Sequence, residues 1–298
     1  MSLRNWILLV VLGAIWGGAF LFAKVAVAEI PPFVLVFLRV FIACTTLMIV
    51  LWHQGLLDHL EWRLAGPFLV MGLLNNAVPF SLLFLGQTVI GAGLASILNA
   101  TTPIFTVVVA GLLVRQESLD MHKIAGVLLG VAGVAVMLSS SLSGLATDPL
   151  WAQLCCLDAA ISYACAATFA RRFRTLPTQV AATGQLLGSS LIMLPVALFT
   201  ASDWSPFDTS LVAWSNVIAL GILATALAYL IYFRLLSDAG ATNASLVTLL
   251  VPASALFFGW LILGENLSPL QLAGFGVLLA GLVVLDGRLF KRKVTETA

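Results

Sequence analysis

Charge is scarce in this sequence: charged residues make up 9% of its 298 positions, against about 25% in ordinary soluble domains. A hydrophilic stretch large enough for a soluble domain is also missing, the longest being the tail after Leu289. The chain has three histidines and four cysteines. Cys44, Cys155, Cys156 and Cys165 fall inside apolar runs without metal-like spacing, so they read as small buried residues, and no metal is expected. There is no phosphate-binding GxxxxGK[ST] loop, no HExxH and no dinucleotide fingerprint. Their absence argues against a cofactor, a nucleic-acid partner or an ATP-driven pump in this chain alone. An intramembrane enzyme would need a nucleophile–base pair or paired acids at one depth. The runs supply one clear carboxylate, Asp158, and their only histidines, His53 and His122, lie at loop edges.

What is abundant is apolar length. Hydrophobic residues make up 61% of the chain, and a helical crossing needs about 20 of them in succession. Ten such spans can be drawn, at 6–28, 33–53, 66–86, 92–114, 122–140, 151–170, 179–200, 211–236, 241–263 and 269–287. Strand alternation is absent, so each span satisfies its backbone internally as a helix. Asp148-Pro149 and Ser268-Pro269 predict an N-cap followed by proline at the first helical position. The first run exceeds the roughly 7–15 residues of a secretory signal core and has an interior counterpart, so it is assigned as a span.

The chain also repeats itself. Ala95, Ser96 and Pro103 recur 149 residues later as Ala244, Ser245 and Pro252, and Glu117, Gly126 and Gly133 recur 148 later as Glu265, Gly274 and Gly281. Two units follow, 6–140 and 151–287, with a basic tail at 288–298. Five spans per unit is an odd number, so the second unit crosses the membrane in the opposite sense. Basic residues agree with this topology. Twelve of the 14 Lys and Arg, from Arg4 and Arg63 to Arg292 and Lys293, fall on one side, leaving only Lys24 and Arg39, which lie inside spans. By the positive-inside rule, both termini are cytoplasmic. The fold class is therefore all-α integral membrane, with ten transmembrane helices as two inverted five-helix repeats. Such repeats place a transport site at their interface near mid-membrane.

These residues resemble the drug/metabolite transporter superfamily, in particular bacterial ten-helix exporters built from two EamA units. The resemblance runs over roughly 6–287 and rests on the duplicated helix-interior proline, the following Glu117 and Glu265, and the glycine-spaced last helix of each unit. Length and aromatic placement look most similar to the exporters of aromatic amino acids and methyl viologen. This implies an exporter in the bacterial inner membrane, without a cofactor.

Candidate site residues come from three groups. Most tryptophans lie at span ends, as an interfacial belt does, but Trp16 is central in span 1, Tyr163 lies inside span 6 and Tyr229 deep in span 8. Buried indole and phenol groups need partners that lipid cannot supply, so these three are expected to line a cavity or pack in the core. Interior prolines free the carbonyl four residues earlier. Pro79, Pro103 and Pro252 free Asn75, Asn99 and Thr248, and act as candidate hinges. Asn75, Asn76, Asn99 and Thr248 are expected either to wall a polar cavity or to join helices by hydrogen bonds. Lys24, Arg39 and Asp158 are the charges inside spans, which are costly and so informative. Asp158 is a candidate for proton coupling, for contact with an ammonium group, or for an ion pair with Arg39 or Lys24. Gly126, Gly130, Gly133, Gly274 and Gly281 give spans 5 and 10 small faces, for packing within the chain or for a homodimer.

Together these imply a monomer or homodimer in the lipid bilayer that exports a small molecule by alternating access. Aromatic or hydrophobic amino acids suit an apolar pocket with uncharged polar groups. The alternatives are a lipid-linked metabolite flippase or a phosphorylated-metabolite exchanger, the latter asking for several basic residues in the cavity.

Overall fold

In the computed structural model the apolar runs fold as helices whose ends fall where the sequence supplies caps, prolines and glycines. The structure describes residues 1–113, 120–142 and 148–287. Arg115, Glu117 and the basic tail lie outside the described residues. Ten helices cross the molecule: α1 Leu3–Ala26, α2 Pro32–Gln54, α3 Trp62–Gln87, α4 Ala92–Gly111, α5 Met121–Leu142, α6 Leu150–Phe173, α7 Thr178–Thr200, α8 Leu211–Ala239, α9 Val247–Leu263 and α10 Pro269–Asp286. No strand occurs among the described residues. α9 has 17 residues, and the short helix Ala241–Ala244 ahead of it restores a full crossing.

The most extensive helix pairs respect an exchange of the two units. α1 lies on α8 and α9, while α6 lies on α3 and α4; α2 meets α8, and α3 meets α7. The pairs α2·α7, α4·α9 and α5·α10 map onto themselves under the same exchange. This is the pattern of inverted repeats related by a two-fold axis in the membrane plane.

The α5·α10 pair explains the glycine spacing. A Cβ on Gly133 would stand 2.6 Å from the backbone nitrogen of Leu278, and one on Gly274 would stand 2.6 Å from the carbonyl oxygen of Gly133. Gly281 and Gly126 oppose each other in the same way. These faces are occupied inside one chain, so the glycines do not form the contact expected of a homodimer. Small residues are what let two membrane helices approach this closely.

Both α3 and α8 loosen into π-helical turns, at Leu73–Ala77 and Ala219–Leu227. Gly72 and Gly221 sit in or beside these turns, 149 residues apart. A Cβ at Gly72 would press on the α7 backbone, and one at Gly221 on Ile42 of α2. Wide turns of this kind are rare and concentrate at functional sites.

Capping differs at one of the two expected positions. Ser268 and Gln271 form a reciprocal capping box at the start of α10, with Pro269 at its first position. Asp148 does not cap α6. Pro149 takes the cap position, and the Asp148 carboxylate instead accepts from Gln271 Nε2 at 2.8 Å. A proline holds the residue before it extended, which leaves Asp148 free to join the loops that begin α6 and α10.

Candidate functional site

Between the two units lies a cavity of about 760 Å³, a size typical of small-molecule sites. Its walls come from α1, α2, α3, α4, α6, α7, α8 and α9, and none from α5 or α10. Of the sequence candidates, it brings together Trp16, Arg39, Asn75, Asn99, Pro103, Tyr163, Tyr229, Thr248 and Pro252. Asn76, Pro79, Lys24 and Asp158 are outside its lining.

Rings dominate the walls. Trp16 packs against Tyr232 with centroids 5.5 Å apart, Tyr229 lies 5.9 Å from Phe233, and Phe80 stands edge-on to Tyr163 at 6.5 Å. Such tilted and edge-on arrangements suit the ring quadrupole. Tyr232, Phe80, Phe84, Gln87 and Gln185 are wall residues that sequence reasoning did not select as site candidates. Gln185 was the most readable of them, being an amide inside span 7 rather than at its edge. It accepts from Asn75 Nδ2 at 3.3 Å and so links α7 to α3.

The charges are arranged differently from expectation. Arg39 is buried and donates from Nε to Thr225 Oγ1 at 3.0 Å, with its guanidinium carbon 3.7 Å from the centre of the Phe80 ring. Lys24 donates to the carbonyl of Gln87 at 2.8 Å. Neither pairs with Asp158, which is on an exposed face of α6. The ion pair is therefore replaced by uncharged partners and a ring face, and the proton-coupling candidate faces away from the cavity.

The proline expectation is also amended. α4 breaks at Ala100–Thr101, just before Pro103, but the carbonyl of Asn99 is not bare. It accepts from the Thr102 hydroxyl at 2.7 Å. α9 runs through Pro252 and is interrupted earlier, at Ser245–Leu246. The two prolines are thus not equivalent kinks, because hydroxyls nearby satisfy the backbone of one helix where the other simply shifts its break. Pro79 is the second residue of the helical segment Val78–Gln87 that follows the π turn in α3. Asn76 is fully buried beside it; the Tyr229 hydroxyl points toward Asn75 and Asn76 without closing a bond of ordinary geometry on Asn76.

One end of the cavity is shut. Phe20, Phe84, Gln87 and Ser96 are all buried there, and Gln87 Nε2 donates to the carbonyl of Phe20 at 2.8 Å. Above them the Glu265 carboxylate accepts from the backbone N–H of Ala92 and of Gly93, at 2.8 and 3.0 Å. It thereby caps the first turn of α4, where the helix dipole favours an anion. Gly264 makes this reach possible: at φ +65° it turns the chain so that Glu265 N–H returns to the Gly259 carbonyl. The opposite end of the cavity reaches Arg174 and Thr178, both exposed, in the basic turn between α6 and α7.

A second carboxylate clasps the shut side. Glu29 accepts from Ser210 N–H and Ser210 O–H, each at 2.7 Å. These two donors hold its carboxyl below the ordinary carboxylate range. A lowered value means that the clasp is complete at neutral pH and is lost as pH falls through it. Glu29→Gln is therefore expected to lower the melting temperature in detergent at pH 7. The difference from the parent protein should vanish well below pH about 4, which a melting series across pH reads directly.

Comparison with known proteins agrees with this architecture. The model of the EamA-like transporter family matches residues 4–139 and again 150–285. An uncharacterized transporter from Bacillus subtilis, YoaV, is 26% identical over 285 residues, covering 94% of this chain and 96% of its own. A probable amino-acid metabolite efflux pump from Salmonella typhimurium is 28% identical over 307 residues, covering 100% and 99%. One from Escherichia coli is 28% identical over 294 residues, covering 95% of each. A solved structure described only as a crystal structure of a protein superposes with a TM-score of 0.67 at 19% identity, covering 99% of this chain and 100% of its own. That likeness speaks to fold alone. With both of its halves matched, this chain belongs to the EamA-like transporter family of the drug/metabolite transporter superfamily: it is a multi-pass membrane transporter and not an enzyme.

Proposed function

We propose that this transporter exports small metabolites, aromatic or hydrophobic amino acids first among them, across the bacterial inner membrane by alternating access. The observation that carries the reading is the cavity itself. It lies between inverted repeats, it is walled by Trp16, Tyr163, Tyr229 and Phe80, and among the described residues its lining contains no Asp or Glu. Ring faces and uncharged amides suit a zwitterion with a large apolar side chain. With both termini cytoplasmic, as the basic loops require, the shut end faces outward and the accessible end faces the cytoplasm. This is a loading state for an exporter. The names of the Salmonella and Escherichia coli relatives point the same way. A phosphorylated-metabolite exchanger is less well supported, because among the described residues Arg39 and Arg174 are the only basic ones in the lining and they belong to opposite ends.

Uptake into proteoliposomes, with a panel of labelled amino acids, organic cations and phosphate esters, tests the proposal. Aromatic amino acids are expected to be carried. Trp16→Ala and Tyr163→Ala should each reduce their transport about tenfold, the loss expected when an aromatic contact worth roughly 1.5 kcal/mol is removed. Transport of a phosphate ester alongside failure of every amino acid would overturn the substrate reading. Full transport by both variants would remove the aromatic wall from the site.

A further inference from the structure

Arg39 is the cavity residue whose chemistry is least complete. A charge within the membrane is costly, and such residues normally pair with an opposite charge or with backbone carbonyls. Arg39 has neither. Of the five N–H donors of a guanidinium, only Nε–H is used, on Thr225. The plane rests against Phe80, with Phe84 further off at 5.8 Å, and the hydroxyls of Tyr163 and Tyr229 lie within electrostatic reach. Among the described residues nothing accepts from the two terminal nitrogens. Their fork borders the cavity, next to its shut end.

The surroundings hold that fork in place. Thr225 belongs to the π-helical turn of α8, and its own hydroxyl donates to the Leu220 carbonyl at 2.8 Å, so its oxygen is fixed to receive Nε. Phe80 restrains rotation of the plane from below. What results is a rigid cation with an unfilled, planar, two-pronged donor edge at the bottom of a cavity that contains no carboxylate among the described residues. That edge matches a carboxylate bidentately, which a lysine ammonium would not. In the same cavity lining, Gln87 Oε1, Ser96 Oγ and Asn99 Oδ1 are buried oxygens that make no hydrogen bond among the described residues. They are uncharged acceptors, suited to an ammonium but far weaker for it than Arg39 is for an anion.

We infer that Arg39 is the substrate-binding residue that captures the carboxylate of the transported molecule, and that the carboxylate, rather than the amino group, is the obligatory recognition element. The substrate class is then aromatic and hydrophobic carboxylates, in which the α-amino group is accepted without being required. This rests on the exporter reading above but makes a separate claim about which group of the substrate is recognised.

The test uses two ligands that differ only at that group, 3-phenylpropionate and 3-phenylpropionamide, binding to the purified full-length protein, with quenching of cavity tryptophan fluorescence as readout. The parent protein is expected to bind the carboxylate at least about tenfold more tightly than the amide, as charge-assisted bidentate bonds allow. Arg39→Gln should abolish the preference by weakening carboxylate binding far more than amide binding, and Arg39→Lys should restore part of it. A purely structural arginine would lower both affinities together and leave their ratio intact, so an unchanged ratio in Arg39→Gln overturns the inference. So does equal binding of the two ligands by the parent protein, or binding of neither. If Arg39→Gln does not fold, Thr225→Val, which frees Nε without removing the charge, is expected to shrink the preference; an undiminished preference there counts against the inference. Parallel phenylalanine transport separates the two claims. Transport without carboxylate preference removes Arg39 alone, and Arg39-dependent binding without amino-acid transport removes the exporter reading alone.

Discussion

Gly281→Leu should lower the melting temperature of the purified transporter by roughly 10 °C, corresponding to about 3 kcal/mol or more of overpacking. A Cβ at this position would stand 2.6 Å from the backbone nitrogen of Gly130 and 2.9 Å from the carbonyl oxygen of Gly126. Backbone atoms cannot swing away as a side chain does, so α5 and α10 must separate along their length. Gly276→Leu, five residues away on the same helix, supplies the control, because nothing lies within 4 Å of its Cβ position. That variant gains helix propensity and is expected to melt no lower than the parent. Because the α5·α10 pair contributes nothing to the cavity lining, the transport rate per folded Gly281→Leu molecule should match the parent. Equal melting of the two variants would refute the glycine-interface account.

The second large effect belongs to Glu265. Its carboxylate makes two charge-assisted bonds to the first turn of α4, each of a kind worth about 1.5–3 kcal/mol. Glu265→Ala removes both across the shut end. If that end opens during transport, a loss of about 3 kcal/mol shifts the ratio of open to shut molecules by roughly a hundredfold. The shift can be read with a cysteine placed at Ser96, which is 1% exposed in this state, after replacing Cys44, Cys155, Cys156 and Cys165. A membrane-impermeant thiol reagent added from the shut side should label the Glu265→Ala protein far faster than its Glu265 counterpart. Equal labelling rates would show that the carboxylate caps α4 without holding the shut state.

Much of this molecule can be read from its sequence, for one physical reason: every backbone crossing must satisfy itself, so apolar length announces each helix. Asp148 shows the limit. Its position before Pro149 reads locally as a cap, yet its partner is Gln271, 123 residues on, which no local pattern encodes. The π turns in α3 and α8 escape detection because a widened turn leaves composition unchanged. Gly72 and Gly221 were not singled out, because their tight approach to α7 and α2 exists only once the helices pack. Within the site, Trp16, Tyr163 and Tyr229 were legible because polar rings at depth need company. Asp158 misled because depth along a helix says nothing about which side the residue faces. Arg39 was noticed for its cost, while its meaning depended on Thr225 and Phe80 arriving from distant helices.

The separation of the α5·α10 pair from the cavity walls has a consequence for how such a protein can diversify. Residues that wall the cavity occupy eight helices, and the backbone-to-backbone contact of the other two lies outside their reach. A substitution at Trp16, Asn99 or Thr248 can reshape the chamber without touching that contact, so stability and substrate range can drift almost independently. A duplicated gene with this layout can explore new cargo one wall residue at a time while keeping a fold that still assembles in the bilayer.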